Sequence, residues 1–409
     1  MWSIVIAGLA ALSLFASTAI SSAQLLVSAN DGKVVLNDGV IEHVKDGKDT
    51  IVIVDIAEGT PRVLADLAVP NSVKSPPSNV AISPDKSSVL IAAVRKYAGD
   101  PPRETSDTRV TFVDLRPLRW NAGRQAVASA GAGIEPGQPA VLATLEVGKG
   151  PAGIAIDPSG NLALVANRDE GSVALLSVQQ RKVLAKLSLG DDASGPSGVA
   201  FTPDGSHALV TLYGMGAAPT GTKVAVLRID GEKVEPTGRM ITTGLGPYGL
   251  DVSRNGDIAA VANLGGGVTG DADVVSVIDL KQEPFRVVNS VAVAPSPEGI
   301  KFSPDGRYLA VSSVNGTHKP RSSPLYHDAG LLQIFAVRGS NLQKIAEGEA
   351  GHWCQGVAWS RDVRTLYLQC MKEKEIQVFS FDPSGSDQLG RLPPLKIDNG
   401  PAGLDVAYD

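Results

Sequence analysis

Pro297-Glu298-Gly299-Ile300-Lys301-Phe302-Ser303-Pro304-Asp305-Gly306 is the stretch on which the fold turns. Aliphatic and aromatic residues alternate up to Ser303, Pro304-Asp305-Gly306 has the chemistry of a tight turn, and a second apolar stretch, 308–312, follows at once. The phrase therefore reads as strand, turn, strand. It recurs as Pro151-Ala152-Gly153 running to Pro158-Ser159-Gly160, and as Pro196-Ser197-Gly198 running to Pro203-Asp204-Gly205. Degenerate copies begin at Pro77-Ser78-Asn79, Pro247-Tyr248-Gly249, Cys354-Gln355-Gly356 and Pro401-Ala402-Gly403. The third residues of the copies stand at 79, 153, 198, 249, 299, 356 and 403, a period near fifty with one long interval. Repeats of that length are the mark of stacked supersecondary units.

Second strands align at 89–93, 162–166, 208–212, 258–262, 308–312 and 365–369, and two further apolar stretches follow in each unit, for example 173–178 with 183–189. Four antiparallel strands per repeat describe a β-propeller blade. The last copy stops after one strand, whereas Leu25-Leu26-Val27-Ser28-Ala29-Asn30-Asp31 resembles a second strand, with 49–56 and 62–69 as strands three and four. The seventh blade is thus expected to form from both termini, which removes two exposed sheet edges. The fold class is all-β, a seven-bladed propeller occupying residues 24–409 as a single domain, with an insertion at 116–139 in blade one.

The Pro-x-Gly-aliphatic-x-aliphatic-Ser-Pro-Asp-Gly phrase, followed by Val261-Ala262-Asn263 and Val275-Ser276-Val277-Ile278-Asp279 in blade four, resembles the YVTN-type β-propeller repeat. That repeat belongs to a wider group that includes the seven-bladed lactonase family. The resemblance implies a His, Glu and Arg cluster at the channel mouth. Here it maps onto Glu298, with His327 or His352 as general acid or base and Arg168 as oxyanion clamp, acting on a sugar or aromatic-acid lactone. No copy carries the Arg-His pair usual after the family's first proline, so a binding or scaffolding role is placed first and lactone hydrolysis second.

In a propeller the loops from strand four to the next strand one share a face with the loops between strands two and three. Four of the latter are long, 95–108, 213–222, 264–273 and 315–330, which marks this face as functional. The residue between Pro and Gly of each phrase is expected to ring the mouth of the central channel: Ser78, Ala152, Ser197, Tyr248, Glu298, Gln355 and Ala402. A ligand over this mouth would meet Arg95, Arg168 and Arg321, whose guanidiniums suit a carboxylate, a phosphate or an acidic surface. Tyr213, Tyr248, Asn263 and His352 complete the expected ligand-binding set. His327-Asp328 with His318 or His352 has donor chemistry for a metal but the spacing of no tight motif, and neither a metal nor another cofactor is expected. No Cys-x-x-Cys-His haem site, Gly-rich phosphate loop or Gly-x-Ser-x-Gly elbow is present.

Thirty-seven basic against 43 acidic residues leave a net charge of −6, which removes the electrostatic case for nucleic acid. Residues 1–23 hold no charged side chain and end in Ser21-Ser22-Ala23. They read as a signal peptide with Gln24 as the mature start, a periplasmic or secreted location and no membrane contact after cleavage. The partner expected is a small molecule or a protein on the long-loop face, and the chain is expected to be monomeric. Cys354 and Cys370 fall opposite each other in a hairpin that turns near Asp362, so an oxidising compartment would join them.

Overall fold

The computed structural model describes residues 24–57, 60–118, 137–190, 194–214, 219–265, 270–385 and 388–408. The signal-peptide reading of 1–23 and the greater part of the 116–139 insertion lie outside them. The described residues form seven four-stranded antiparallel sheets and two small hairpins, an all-β, seven-bladed propeller. Blade five shows the unit: Pro297–Phe302, Tyr308–Ser313, Gly330–Arg338 and Asn341–Ala350, in that order from the channel outward.

The recurring turn has a local cause. The hydroxyl before its proline or arginine bonds across the turn to the first residue of strand two: Ser303 Oγ accepts from the Tyr308 N–H at 3.0 Å, and Ser253, Thr202 and Ser360 repeat the contact with Ile258, His207 and Thr365. In blade two Asp157 does the same for Leu162. Gly160, Gly205, Gly256 and Gly306 then take the positive φ that closes the turn, while blades one and six put Lys86 and Val363 there.

The second recurring glycine has another role. A Cβ at Gly153, Gly198, Gly249 or Gly299 would overlap the carbonyl oxygen of the ring residue in the next blade, Ser197, Tyr248, Glu298 or Gln355. First strands crowd together at that level, and in these four blades glycine allows the approach, whereas blade one has Asn79 at the same position. Between blades the packing is apolar, as where Leu164 and Val173 of blade two meet Val199, Phe201 and Val210 of blade three.

Gly400–Val406 pairs with Leu25–Asp31, which pairs in turn with Thr50–Asp55 and then Arg62–Ala68, so the two termini build one blade. Cys354 and Cys370 are cross-strand partners joined by a disulfide, with Cα atoms 4.0 Å apart. Closing that 16-residue separation is worth about 3 kcal/mol in the chain-entropy account. No helix among the described residues is long and apolar enough to cross a membrane.

Two features of the long-loop face carry no repeat signal. The loop between strands two and three of the closing blade folds into a hairpin, Val34–Asn37 with Val40–His43, and the 95–108 loop of blade one into another, Arg95–Ala98 with Arg103–Ser106. His43 stacks on Tyr97 between them, ring centroids 4.2 Å apart.

Candidate functional site

The first strands enclose a central channel of about 270 Å³. Ser78 and Glu298 line its long-loop end, whereas Pro84 and Pro158 of the tight turns line the other. In the ring of residues between Pro and Gly, Ser197, Tyr248, Glu298 and Gln355 occupy four consecutive blades and form one polar arc, while Ser78 stands apart between Ala402 and Ala152.

Arg168, just past the second strand of blade two, lies across this arc. Its Nε donates to Ser197 Oγ at 3.2 Å and its Nη1 to the Lys74 carbonyl at 2.9 Å. The guanidinium carbon sits 5.6 Å from the Tyr213 ring and 5.3 Å from the Tyr248 ring, within cation–π range of both. Nη2 is buried and has no acceptor in bonding geometry. Burial pushes both phenols above their ordinary range, with Arg168 opposing.

Glu298 is the carboxylate of the ring, and it is buried. Gln355 Nε2 donates to its Oε2 at 2.5 Å and lies 3.2 Å from the Val73 carbonyl. Burial pushes the carboxyl from 4.5 up to about 7, against the stabilising pull of Gln355, Arg168 and Trp353. Gln355 Oε1 and Ser78 Oγ, like Arg168 Nη2, are buried polar atoms without a hydrogen-bond partner.

Residues 71–75, which join the closing blade to blade one, lie over this cluster. The Lys74 carbonyl is held by Arg168, the Val73 carbonyl by Gln355, and the Val73 side chain packs with Val34, Leu36, Trp353 and Ala402. Asp31 accepts from the Val73 N–H at 2.9 Å, and Asp49 from the Asn71 N–H at 3.2 Å. The mouth on the long-loop face is therefore capped. Nothing in the 71–75 sequence, read alone, gave that away, since the segment belongs to no repeat.

The three histidines of the long-loop face have partners other than Glu298. His352 Nδ1 meets Glu373 Oε1 at 2.6 Å and its Nε2 meets the Tyr326 hydroxyl at 3.3 Å, while exposed His327 contacts the Asn315 carbonyl at 3.0 Å. His318 packs against Trp353, ring centroids 6.5 Å apart, and burial with Lys319 beside it lowers its pKa to about 4, so the ring is neutral. The structure thus brings Arg168, Tyr213, Tyr248 and Glu298 together. Arg95 is held by Asp169, Nη2 to Oδ1 at 3.1 Å, with Glu104 Oε1 3.5 Å from its Nε. Arg321 is exposed, its guanidinium over the Tyr326 ring and its backbone N–H on Asp38. Asn263 is buried and ties its own loop, donating to Val261 O, Val274 O and Ser276 Oγ. Trp353, the 71–75 cap and the Lys74 carbonyl join the cluster without having been expected there. Among the described residues no group of three or more His, Cys, Asp or Glu is placed to hold a metal.

No family model and no curated protein matches the chain. Solved structures do. The periplasmic gluconolactonase of Pseudomonas aeruginosa is similar at a TM-score of 0.63 and 20% identity over 94% of this chain and 99% of that one. A candidate 6-phosphogluconolactonase from Bacteroides uniformis gives 0.67 and 16% over 94% and 100%, and a protein of unknown function from Desulfotomaculum acetoxidans 0.64 and 16% over 95% and 99%. Identities this low establish the seven-bladed propeller as the shared property.

Proposed function

We propose that the protein is an exported binding protein that holds a small carboxylate- or phosphate-bearing ligand at the long-loop end of its channel, with Arg168 as the anchor. The observation that carries this reading is one unsatisfied nitrogen of a half-buried guanidinium. Two of the Arg168 nitrogens are satisfied and two tyrosine faces fix its plane, yet Nη2 is buried without an acceptor. An unsatisfied buried donor costs about 1–3 kcal/mol, and an anionic oxygen placed against it recovers that cost and adds a charge-assisted bond. Calorimetry with gluconate and inorganic phosphate tests the reading. Saturable binding of at least one probe is expected, weakened about tenfold or more in Arg168→Ala. Failure of both probes, or equal affinity in the variant, would discard it.

A second reading, lactone hydrolysis, draws on Glu298 and on the gluconolactonase named among the structural neighbours. A carboxyl poised at about 7 at a channel end has the basicity to take a proton from water attacking a lactone carbonyl, with Arg168 beside the developing oxyanion. Under this reading gluconolactone turnover rises with pH through about 7, because the ionised form is the base, and disappears in Glu298→Gln. Turnover indistinguishable from buffer for gluconolactone and its 6-phosphate would rule against it.

A further inference from the structure

The turn-side half of the channel contains a second polar constellation, built from first-strand backbone. Each blade holds four strands, and first strands of neighbouring blades touch near the ring, where the Ile154 N–H donates to the Ser78 carbonyl, and leave their inner edges facing the channel below it. At the level two residues past the Gly of each repeat, the wall is Ala81, Ala155, Ala200, Asp251, Lys301, Ala358 and Asp405. The two aspartates have a defined task. Asp251 Oδ2 accepts the Phe302 N–H of the next blade at 2.8 Å, and Asp405 Oδ2 accepts the Ile82 N–H at 2.9 Å.

Where alanine replaces aspartate, the equivalent N–H of the following blade has no such acceptor. These are Ile156 after Ala81, Phe201 after Ala155 and Val252 after Ala200, whereas the fourth, Val406 after Ala358, bonds the neighbouring Asp405 carboxylate. Their direction is fixed by their neighbours. Asp157, Thr202 and Ser253 donate to Leu162, His207 and Ile258 of strand two, each at 2.9 Å, so the preceding N–H points to the opposite, channel edge. Three consecutive blades therefore present three donors along one arc. Across the channel stand Lys301, its Nζ 3.3 Å from Asp251 Oδ1, and Asp405, and all of these residues line the same cavity.

The geometry points to a neutral polyol of about hexose size as the ligand of this half of the channel, its oxygens on the Ile156, Phe201 and Val252 N–H groups and its hydroxyl protons on Asp251 and Asp405. Charge argues for neutrality. Lys301 and Asp251 offset each other, Asp405 disfavours an anion, and the arc of N–H donors disfavours a cation. Size agrees, since the channel as a whole offers about 270 Å³ and one sugar ring with its hydroxyls occupies only part of it. This site goes beyond the Arg168 reading and stands or falls apart from it.

The natural pattern supplies the test. Ala155→Asp and Ala200→Asp each reproduce the bridge that Asp251 makes, and so occupy the Phe201 or Val252 N–H without a partner from outside. Titration of the mature protein with D-glucose and with myo-inositol, followed by calorimetry, is expected to show saturable binding of at least one, weakened about fivefold to tenfold in each variant. Circular dichroism and the melting temperature confirm that the variants are folded. Saturating inorganic phosphate, the probe for Arg168, is expected to leave the titration unchanged. Absence of saturable binding for both polyols, full affinity in both folded variants, or displacement by phosphate would each overturn the proposal.

Discussion

Glu298→Gln is expected to stabilise the protein at about pH 8 by roughly 3 kcal/mol and to leave its stability nearly unchanged below about pH 4.5. The sign follows from linkage. The carboxyl titrates at about 7 in the folded protein against 4.5 as an ordinary glutamate, chiefly because burial disfavours its charge. Between those values the folded state holds the proton more tightly than the unfolded state, so stability is fully present below 4.5 and is lost as pH rises through 7. A glutamine keeps an oxygen for the Gln355 Nε2 donor and has no charge to bury. Urea midpoints of parent and variant at the two pH values measure the difference. Midpoints offset equally at both would mean that Glu298 ionises without penalty, and with it the poised base of the hydrolytic reading would go. A site that lowers stability in its working protonation state is common where buried groups serve a ligand.

The fold was legible because its instructions are written seven times. Ser303-Pro304-Asp305-Gly306 and its copies specify a turn by hydroxyl, ring and positive φ, and Gly153, Gly198, Gly249 and Gly299 specify close approach at the mouth. The half-phrase at Gly403 and the orphan second strand at Leu25 imply one another, and the disulfide follows from the register of a single hairpin. The site was legible only to the level of the ring. Which loop residues converge depends on segments without repeats: the hairpin after Lys33, the hairpin after Val94, and the 71–75 crossing. Their partners lie far off in sequence, as when Arg168 meets Lys74 or Gln355 meets Val73, and no periodicity announces such a pairing. His352 is a case of the same kind. His352 reads as a free loop histidine until Glu373 and Tyr326, from two other segments, are seen to occupy it. The first-strand aspartates Asp251 and Asp405 take their role from the next blade, which no single copy of the repeat shows.

Lys33→Met is expected to open the cap over the mouth while leaving the propeller intact. Lys33 Nζ sits 3.1 Å from Asp31 Oδ1 and 2.9 Å from Asp49 Oδ2, also donates to the Asn71 carbonyl, and is 11% exposed. Those two carboxylates hold residues 71–75 through the Val73 and Asn71 amides. Removing the cation leaves both charges facing each other out of water, a change that costs about 3–5 kcal/mol when a buried pair loses one partner. The cap is also tied by Arg168 on the Lys74 carbonyl, Gln355 on the Val73 carbonyl and the Asn71 side chain on the Asn30, Thr50 and Val69 carbonyls, but these bonds reach it at the mouth and not through the blade cores, so it opens before the blades do. Burial already pushes Asp31 up to about 6 even with Lys33 opposing. Without the lysine it takes up a proton more readily still, and the defect is therefore expected to be largest at about pH 8 and to fade toward about pH 5, as protonation removes one of the two charges. Lys74 lies within the cap, so trypsin reports on it directly. Cleavage after Lys74 is expected to accelerate on the order of 100-fold or more at alkaline pH, with faster hydrogen exchange at the Val73 amide and unchanged exchange in the blade cores. Lys33→Arg, which keeps the charge, is expected to stay closed. Cleavage at the parent rate in Lys33→Met would mean that packing of Val73 against Val34, Leu36 and Trp353 holds the cap without the ion pair, and would make the long-loop mouth a fixed wall instead of an entrance.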